Sequence, residues 1–555
     1  MAKYFAVAAL LAALVAPAAS LPAGLGIHYD GDVDAPLLKL DYATYRGKYD
    51  NVSDVFIFKN IRFAAPPVGN LRWAKPASPR PIAEIQDGSD GRQCVQAGQA
   101  RAAGPPAGED CLFLDVTVPG RVLREKGLKL PVVNWVYGGA YIVGSKEGAN
   151  AAAMIRASKG NLIWVAGNYR LGAYGFLTGT TVEKTATPNA GFWDQRAVLQ
   201  WIQQYIGLLS GDPGAVTTIG ISAGAGSILH HLVLEGGTLD PLFTRAILQS
   251  PGYNNWLDRA GQLEANYQRF ESLAGCTGQG LACLRNLSEP ALLNASIAAN
   301  AGQRPGSFAF GPAPDGKFIV SSPTLEIAAG RYWKGLSGLI SSHVVDEGGS
   351  FSDPAIATDA AFDALLNSTY PGTGLAGLRA GVQRLYPAVG ADAARAAALG
   401  YKDARGRLGR EISEMSFTCH NRVAADGYPG KTWSVQYSVP PGTHGADQTG
   451  TFFDVLGPRG QGLSEGEKRE RVGFQGLLVS FMRGGDPNAY RDGEVSVEWP
   501  RTTGFNATTL GNVLEVHSLE GKKGMRIIED GWVIKERCAF WTDAQRDVMA
   551  TLKTG

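Results

Sequence analysis

One segment, VTTIGISAGAGSILHHLVL at residues 216–234, constrains the fold of this chain more than any other. Its first residues are apolar and β-branched, which predicts a buried strand, and the residues from Ala223 onward predict a helix. Between them lies Gly220-Ile221-Ser222-Ala223-Gly224, a G-x-S-x-G pentapeptide. A serine on a tight strand-to-helix turn exposes its hydroxyl at the end of a parallel strand. Ser222 is therefore a candidate nucleophile, and the alternative is an ordinary Gly-Ser turn in a chain with 72 glycines.

Strands and helices alternate along much of the chain. Four further apolar runs predict buried strands, at residues 128–137, 161–169, 245–250 and 338–345. An amphipathic helical pattern covers residues 191–207, and residues from about 350 to 430 are rich in helix formers. This alternation predicts an α/β fold with a mostly parallel central sheet, helices on both of its faces, and an inserted helical cap region.

The first twenty residues, MAKYFAVAALLAALVAPAAS, follow a pattern of their own. One lysine, an apolar run and then small residues are typical of a secretory signal peptide, with cleavage expected near Ser20. The apolar run is too short to span a bilayer comfortably, and no later stretch is long and apolar enough for a membrane helix. No linker divides residues 21–555, so we expect them to form a single domain.

The net charge limits the kinds of binding partner, and the cysteines and sequons indicate the cellular compartment. The formal net charge of +1 offers no basic field for nucleic acid or an anionic membrane. Six cysteines and five N-x-S/T sequons favour secretion or the lumen of the secretory pathway, and the cysteine spacings match no zinc pattern. We therefore expect a glycoprotein that binds a small molecule and needs no metal or organic cofactor. The candidate glycosylation sites are Asn51, Asn286, Asn294, Asn367 and Asn506.

A serine nucleophile needs a general base, and histidine is the usual choice. In this fold class the order along the chain is serine, acid, histidine. His444 follows Ser222 and lies in PPGTHGAD, a Gly/Pro-rich loop after the strand-like residues 432–438, so it is the candidate base. The other six histidines precede the serine, lie in predicted helices or strands, or adjoin a cysteine: His28, His230, His231, His343, His420 and His517.

The acid and the oxyanion donors are expected beside neighbouring strands. Asp346 and Glu347 both end the strand-like run at residues 338–345, and because adjacent side chains face opposite ways, spacing alone does not choose between them. The oxyanion donors are expected to be the N–H of Ala223 and N–H groups of Gly138-Gly139-Ala140, a loop that follows the run at residues 128–137.

Taken together, these motifs resemble the type-B carboxylesterase/lipase family, the α/β-hydrolases that include cholinesterases and secreted fungal esterases and lipases. FKNIRFAAPPVGNLRWAKP at residues 58–76 and EDCLFLDV at residues 109–116 are similar to family blocks, and NYRLGAYGFL and GFWDQRAVLQWI follow in the expected order. The resemblance covers nearly the whole mature chain. It implies Ser222 as nucleophile, Glu347 as acid and His444 as base. It also implies oxyanion donors from Gly139, Ala140 and Ala223, and the disulfides Cys94–Cys111, Cys276–Cys283 and Cys419–Cys538.

Three departures from the family pattern bear on the substrate. Ile221 stands where the family often has glutamate, and Ala140 replaces the third glycine of the oxyanion loop. The loop closed by the first implied disulfide has no aromatic residue, which disfavours cation–π capture of a choline-like group. We therefore expect hydrolysis of a neutral carboxylic ester through an acyl-enzyme. The alternatives are an acyltransferase or cyclase that uses the same triad, or a non-catalytic binding protein on the same fold.

Overall fold

The computed structural model describes residues 24–98, 107–254, 258–301, 303–457, 461–491, 497–519 and 522–554. The predicted signal peptide and part of the loop between Cys94 and Cys111 lie outside these residues. The strands are β1 Gly26–His28, β2 Leu37–Lys39, β3 Thr44–Arg46, β4 Lys48–Asp50, β5 Val55–Arg62, β6 Ile85–Gln86, β7 Phe113–Pro119, β8 Leu130–Val136, β9 Ile163–Gly167, β10 Gly211–Ile221, β11 Arg245–Gln249, β12 Gly338–Val344, β13 Thr432–Tyr437, β14 Leu510–Leu519 and β15 Lys522–Asp530. The α-helices are α1 Arg121–Arg124, α2 Ala151–Ala157, α3 Gly172–Phe176, α4 Thr180–Thr185, α5 Ala190–Tyr205, α6 Ala223–His231, α7 Leu234–Gly237, α8 Gln262–Leu273, α9 Gly280–Asn286, α10 Glu289–Asn300, α11 Pro323–Ala328, α12 Asp359–Thr369, α13 Ala376–Leu385, α14 Ala393–Ala398, α15 Ala404–Ser413, α16 Cys419–Gly427, α17 Gln448–Thr451, α18 Glu465–Gly484 and α19 Lys535–Thr554.

A large twisted sheet organises these elements. Its strand order is β15-β14-β13-β12-β11-β10-β8-β9-β7-β5-β4, and β1, β2, β3 and β6 form a small separate sheet. From β9 through β14 neighbouring strands run parallel, whereas the pairs at both edges are antiparallel. The central strands are buried along most of their length, because helices cover both faces. The mostly parallel α/β sheet predicted from the strand–helix alternation is confirmed.

The order of the strands reverses beside β8. The chain passes from β8 to β9 on one side of it, then crosses to β10 on the other side and continues outward through β11, β12 and β13. Loops that leave the carboxyl ends of β8 and β10 therefore diverge and open a crevice, which is where open α/β sheets bind ligands. Both G-x-S-x-G and the Gly-Gly-Ala loop follow these two strands, so the topology brings them together.

Helices α12 to α16 fill the interval between β12 and β13, as the helix-rich composition of residues 350–430 predicts. Their buried side chains form a second apolar cluster with α19 and the start of β14, which includes Phe362, Leu408 and Trp541. A disulfide between Cys419 of α16 and Cys538 of α19 joins this layer to the C-terminal helix. Because its cysteines are 119 positions apart in the chain, such a bond contributes about 5 kcal/mol in the chain-entropy account.

The two other implied disulfides are also present, Cys94–Cys111 and Cys276–Cys283. Two buried ion pairs join residues of the sequence motifs described above. Arg170, which follows β9, makes a bidentate contact with Asp194 of α5 at 2.7 and 2.8 Å. Arg72 and Glu109 are paired in the same way. Removing one partner of such a pair leaves a buried charge and typically costs about 3–5 kcal/mol, so these residues fix the helices and loops around the sheet.

Candidate active site

Ser222 occupies a strained turn between β10 and α6. Its φ of 54° and ψ of −124° lie outside the usual regions for a residue with a side chain. Backbone hydrogen bonds hold the turn: the Ser222 N–H donates to the Gln249 carbonyl at 2.8 Å, and the Ser222 carbonyl accepts from the N–H groups of Gly226 and Gly252 at 2.8 and 3.0 Å. A turn that costs about 1–3 kcal/mol is kept because β10, α6 and β11 together determine it.

Both glycines of the pentapeptide are required by close backbone contacts. A Cβ on Gly220 would lie 2.6 Å from the carbonyl carbon of Gly224, and a Cβ on Gly224 would lie 2.0 Å from the Val136 oxygen at the end of β8. Any side chain at either position would push α6 away from the sheet. The pentapeptide therefore lies at the strand-to-helix turn between β10 and α6, as its flanking residues predict.

The Gly138-Gly139-Ala140 loop packs directly against this turn. A Cβ on Gly138 would lie 2.7 Å from the Ile221 oxygen, and Gly139 has φ 112° with the Val143 oxygen 2.2 Å from where its Cβ would be. Ala140 adopts φ 55°, so alanine reaches the left-handed backbone that a glycine would take easily. Among the described residues, no hydrogen bond uses the N–H groups of Gly139, Ala140 or Ala223. These amides are available to an incoming oxyanion, and Ala223 begins α6, where the helix dipole is positive.

Glu347 is the carboxylate that faces the candidate base. It is fully buried, its Oε2 lies 2.5 Å from His444 Nδ1, and its Oε1 accepts from the Val344 N–H at 2.9 Å. Asp346 turns the other way and accepts from the Gly349 N–H at 2.9 Å. Of the two carboxylates that strand spacing leaves open, Glu347 is the one in contact with His444.

The imidazole of His444 is held with one nitrogen unoccupied. Its Nε2 is buried and has no hydrogen-bond partner among the described residues, and it makes no hydrogen bond with Ser222. Phe417 and Phe351 pack on the ring with centroid distances of 4.5 and 5.2 Å. Both phenylalanines also line the pocket that contains Ser222. Hydrogen bonds between a nucleophile and its base are often long in a free enzyme and shorten when substrate binds.

Asp447 is a member of the site that the sequence analysis missed. It is buried, and its Oδ2 accepts from Gln249 Nε2 at 3.0 Å and from Ser342 Oγ at 3.3 Å, while Oδ1 has no partner among the described residues. Burial, together with the negative charge of Glu347, raises the pKa of Asp447 to about 6. Its place three residues after His444 in the same loop is the signal that could have identified it.

The other histidines are placed where they cannot act on Ser222. Burial lowers the pKa of His230 and His231 to about 3 and that of His420 to about 4, so these three are neutral parts of the core. Burial alone would lower the pKa of His343 as well, but Asp530 at 2.8 Å outweighs it and raises that pKa. His28 is exposed at the end of β1, and His517 lies in β14.

Neither a metal centre nor a membrane segment emerges from the described ranges. Within them, no group of three or more His, Cys, Asp or Glu side chains is arranged to hold a metal ion. Across the same ranges, no helix has both the length and the apolar character that crossing a membrane requires.

Comparisons with known proteins agree with this geometry. The model of the carboxylesterase family matches residues 34–523. A "Secreted lipase" of Arthroderma benhamiae is 37% identical over 483 residues, which cover 83% of this chain and 89% of that protein. "Carboxylesterase patB" of Aspergillus clavatus is 31% identical, covering 83% and 90% of the two chains. The crystal structure of Aspergillus niger EstA superposes with a TM-score of 0.78 at 24% identity, covering 93% of this chain and 99% of that one. The chain therefore belongs to the carboxylesterase family and is a carboxylic ester hydrolase.

Proposed function

We propose that this protein is a secreted serine esterase that cleaves a neutral ester through an acyl-enzyme, with Ser222, Glu347 and His444 as its catalytic triad. The observation that carries the proposal is the buried Glu347–His444 contact, which leaves His444 Nε2 unpartnered beside the pocket of Ser222. A base oriented in this way by a carboxylate is what a serine needs to become nucleophilic at neutral pH.

Each step of the reaction has a group in place. Ser222 Oγ attacks the ester carbonyl while His444 Nε2 takes its proton, and Glu347 stabilises the resulting imidazolium. The oxyanion of the tetrahedral intermediate accepts hydrogen bonds from the amides of Gly139, Ala140 and Ala223. His444 then gives the proton to the departing alcohol. Water, activated by the same histidine, hydrolyses the acyl-enzyme and restores Ser222.

A fluorophosphonate tests the nucleophile directly. We expect one equivalent to attach to Ser222, identified by intact mass and peptide mapping, with loss of 4-nitrophenyl acetate hydrolysis in step with labelling. Protein unfolded before exposure is the control and should stay unlabelled, because a serine without its base is unreactive. Full hydrolysis by a protein that takes up no label, or a label on another serine, would disprove the assignment.

Export is the second part of the proposal. Removal of residues 1–20 as a signal peptide would leave residues 21–555 as one domain, and the sheet that runs from β4 to β15 is consistent with a single unit. The three disulfides and the similarity to a protein named as a secreted lipase support an oxidising destination. All five sequon asparagines, Asn51, Asn286, Asn294, Asn367 and Asn506, are exposed and could accept glycans. Mass spectrometry of the secreted protein with and without endoglycosidase tests both points.

The preference for a neutral substrate follows from Ile221. Its side chain lies between the two functional loops: Cγ2 is 3.3 Å from where a Gly138 Cβ would be, and Cδ1 is 3.9 Å from where a Gly445 Cβ would be. A glutamate at this position, as the family often has, would place a carboxylate beside the oxyanion loop and the loop of His444. Ile221 places an apolar side chain there instead. A neutral group loses less hydration there than a cation would.

Ile221→Glu should therefore shift specificity toward cationic esters. We expect the ratio of kcat/KM for acetylthiocholine to that for the neutral isostere 3,3-dimethylbutyl thioacetate to rise about tenfold, because one nearby charge contributes about 1–2 kcal/mol in a partly buried site. Ile221→Gln is the matched control, since glutamine is as long as glutamate and also polar but carries no charge. The ratio for this variant should stay near that of the wild type. An equal ratio in the Glu and Gln variants would refute the role of Ile221.

A further inference from the structure

One cavity contains Ser222 and a second one borders it, and the two differ greatly in size. The pocket that contains Ser222 is about 30 Å³, and a neighbouring cavity, which we call the outer cavity, is about 520 Å³. Asn254 and Ser416 line both. Residues of the segment 304–308 also divide between them, since Gly306 and Phe308 face the Ser222 pocket while Arg304, Pro305 and Ser307 face the outer cavity. Asn254, Ser416 and this short segment therefore form the boundary between the two spaces.

The Ser222 pocket accommodates only a small group. Aromatic rings of Tyr141, Tyr253, Phe308, Phe351 and Phe417 line it, together with glycines and alanines. Tyr253 is fixed by stacking on His420 at a centroid distance of 3.7 Å, and Tyr141 donates to the Gly252 carbonyl at 3.2 Å. Because Tyr141, Tyr253 and Phe417 are buried and held by their neighbours, the pocket has little freedom to widen around a long acyl chain.

The leaving alcohol has to depart on the side of His444, which protonates it. Phe417, which packs on the His444 ring, belongs to a π-helical turn at Glu414–Thr418. Next to it in that turn, Ser416 lines both spaces and Met415 lines only the outer cavity. The turn that contacts the base therefore also borders the outer cavity, and because the Ser222 pocket has room for only a small group, we assign the outer cavity to the alcohol.

The lining of the outer cavity is divided about equally between polar and apolar groups and carries no net charge. Its one charged lining residue among those described is Arg304, whose guanidinium donates to the fully buried Glu411 at 2.6 Å. The other polar groups are neutral amides and hydroxyls, among them Gln262, Gln303, Ser307 and Thr369, and they alternate with apolar side chains such as Leu375 and Trp541. Such a surface suits a ligand that offers many hydrogen bonds and some apolar faces, but no charge.

Building on the proposed function, we infer that the natural substrate is a short-chain acyl ester, such as an acetate, of a bulky, neutral, polyhydroxylated alcohol that occupies the outer cavity. A linear alkyl alcohol would displace water from polar groups of the lining, such as Gln262 and Ser307, without offering them hydrogen bonds. A site built for hydrogen bonding discriminates strongly against ligands that lack the matching groups, because its own polar groups then lose their partners.

Three acetates test the inference on the intact protein: 4-nitrophenyl acetate as a small reference, 6-O-acetylsucrose as the polyhydroxylated ester, and decyl acetate as the apolar one. We expect kcat/KM for acetylsucrose to exceed that for decyl acetate by at least about tenfold. Leu375→Trp, at a half-buried position of the outer cavity, should lower the acetylsucrose to 4-nitrophenyl acetate ratio by about tenfold, and Gln303→Leu should lower the acetylsucrose to decyl acetate ratio.

Leu273→Trp is the matched control, since Leu273 is exposed at the end of α8 and lines neither cavity; its ratios should equal those of the wild type. Fluorophosphonate labelling of each variant at Ser222 verifies that it is folded. Decyl acetate cleaved as well as acetylsucrose, or unchanged ratios in both cavity variants, would overturn the inference while leaving the esterase proposal intact. A wild-type protein inert toward 4-nitrophenyl acetate would instead overturn the proposed function.

Discussion

Replacing Ser222 with alanine should lower kcat/KM for 4-nitrophenyl acetate by about 10⁴-fold or more, because no acyl-enzyme can then form. The remaining groups would retain only the stabilisation that the oxyanion amides and substrate binding provide. Active-site residues that act as one unit lose their effect together, so Ser222→Ala combined with His444→Ala should be no slower than Ser222→Ala alone. Initial rates, with enzyme concentration fixed by absorbance, measure both effects.

Ser227→Ala is the matched control for Ser222→Ala. Ser227 lies on the same helix, α6, and its hydroxyl donates to the Ala223 carbonyl at 2.8 Å rather than facing substrate. The same hydroxyl accepts from Gln195 Nε2 at 3.0 Å. This variant should stay within about tenfold of the wild type, since it loses two neutral hydrogen bonds and no group that faces substrate. Comparable losses in the two serine variants, or a double variant much slower than Ser222→Ala, would mean that Ser222 supports the fold rather than the chemistry.

Acidification from pH 7 to pH 5 should lower the free energy of unfolding by several kcal/mol. The buried histidines His230, His231 and His420 have pKa values of about 3, 3 and 4 in the folded protein and about 6.5 when unfolded. A depressed folded pKa means that the unfolded chain binds more protons in this range, so the stability is present above pH 6.5 and is lost as pH falls. Each histidine accounts for a loss of about 2 kcal/mol between pH 7 and pH 5.

Two groups oppose this loss. Asp447 has a pKa raised to about 6, so its folded form takes up a proton before the unfolded one does, which returns about 1 kcal/mol over the same interval. The raised pKa of His343 acts in the same direction. The sum nevertheless remains a destabilisation at pH 5, because three histidines outweigh these two groups.

Urea unfolding at both pH values measures the change, and His420→Asn isolates one of its sources. Asparagine places an N–H donor where His420 Nδ1 lies 2.9 Å from the Pro251 carbonyl, but it does not titrate. This variant should lose about 2 kcal/mol less than the wild type between pH 7 and pH 5, whatever its stability at pH 7. The exposed His28, replaced by asparagine, is the control and should leave the wild-type dependence intact. Identical dependence in His420→Asn and wild type would show that the core histidines are not responsible.

The sequence predicted the elements that local patterns determine. An apolar run marks the strand before Ser222. Small residues mark the start of the following helix and the Gly-rich loop after β8, because the close backbone contacts there leave no room for larger side chains. Sequence spacing could not predict which of Asp346 and Glu347 contacts His444, because this depends on how the end of β12 packs against the loop after β13. Asp447 and the outer cavity were missed for the same reason, since both come from segments far apart in the chain. Asp447 contacts the ends of β11 and β12, and the outer cavity is lined by α12, α13, α19 and the segment 303–307.

The distribution of the site residues over distant strands of the sheet has a consequence for biosynthesis. Ser222 and its oxyanion amides come from the first half of the chain, whereas His444 follows β13, which in turn pairs with β14 near the C-terminus. Because translation proceeds from the N-terminus, Ser222 is synthesised long before His444. The outer edge of β13 stays unpaired until residues 510–519 have been synthesised. If Ser222 and His444 act as proposed, we expect a nascent chain to be catalytically silent, without any separate inhibitory segment, until the residues around His444 have joined the sheet.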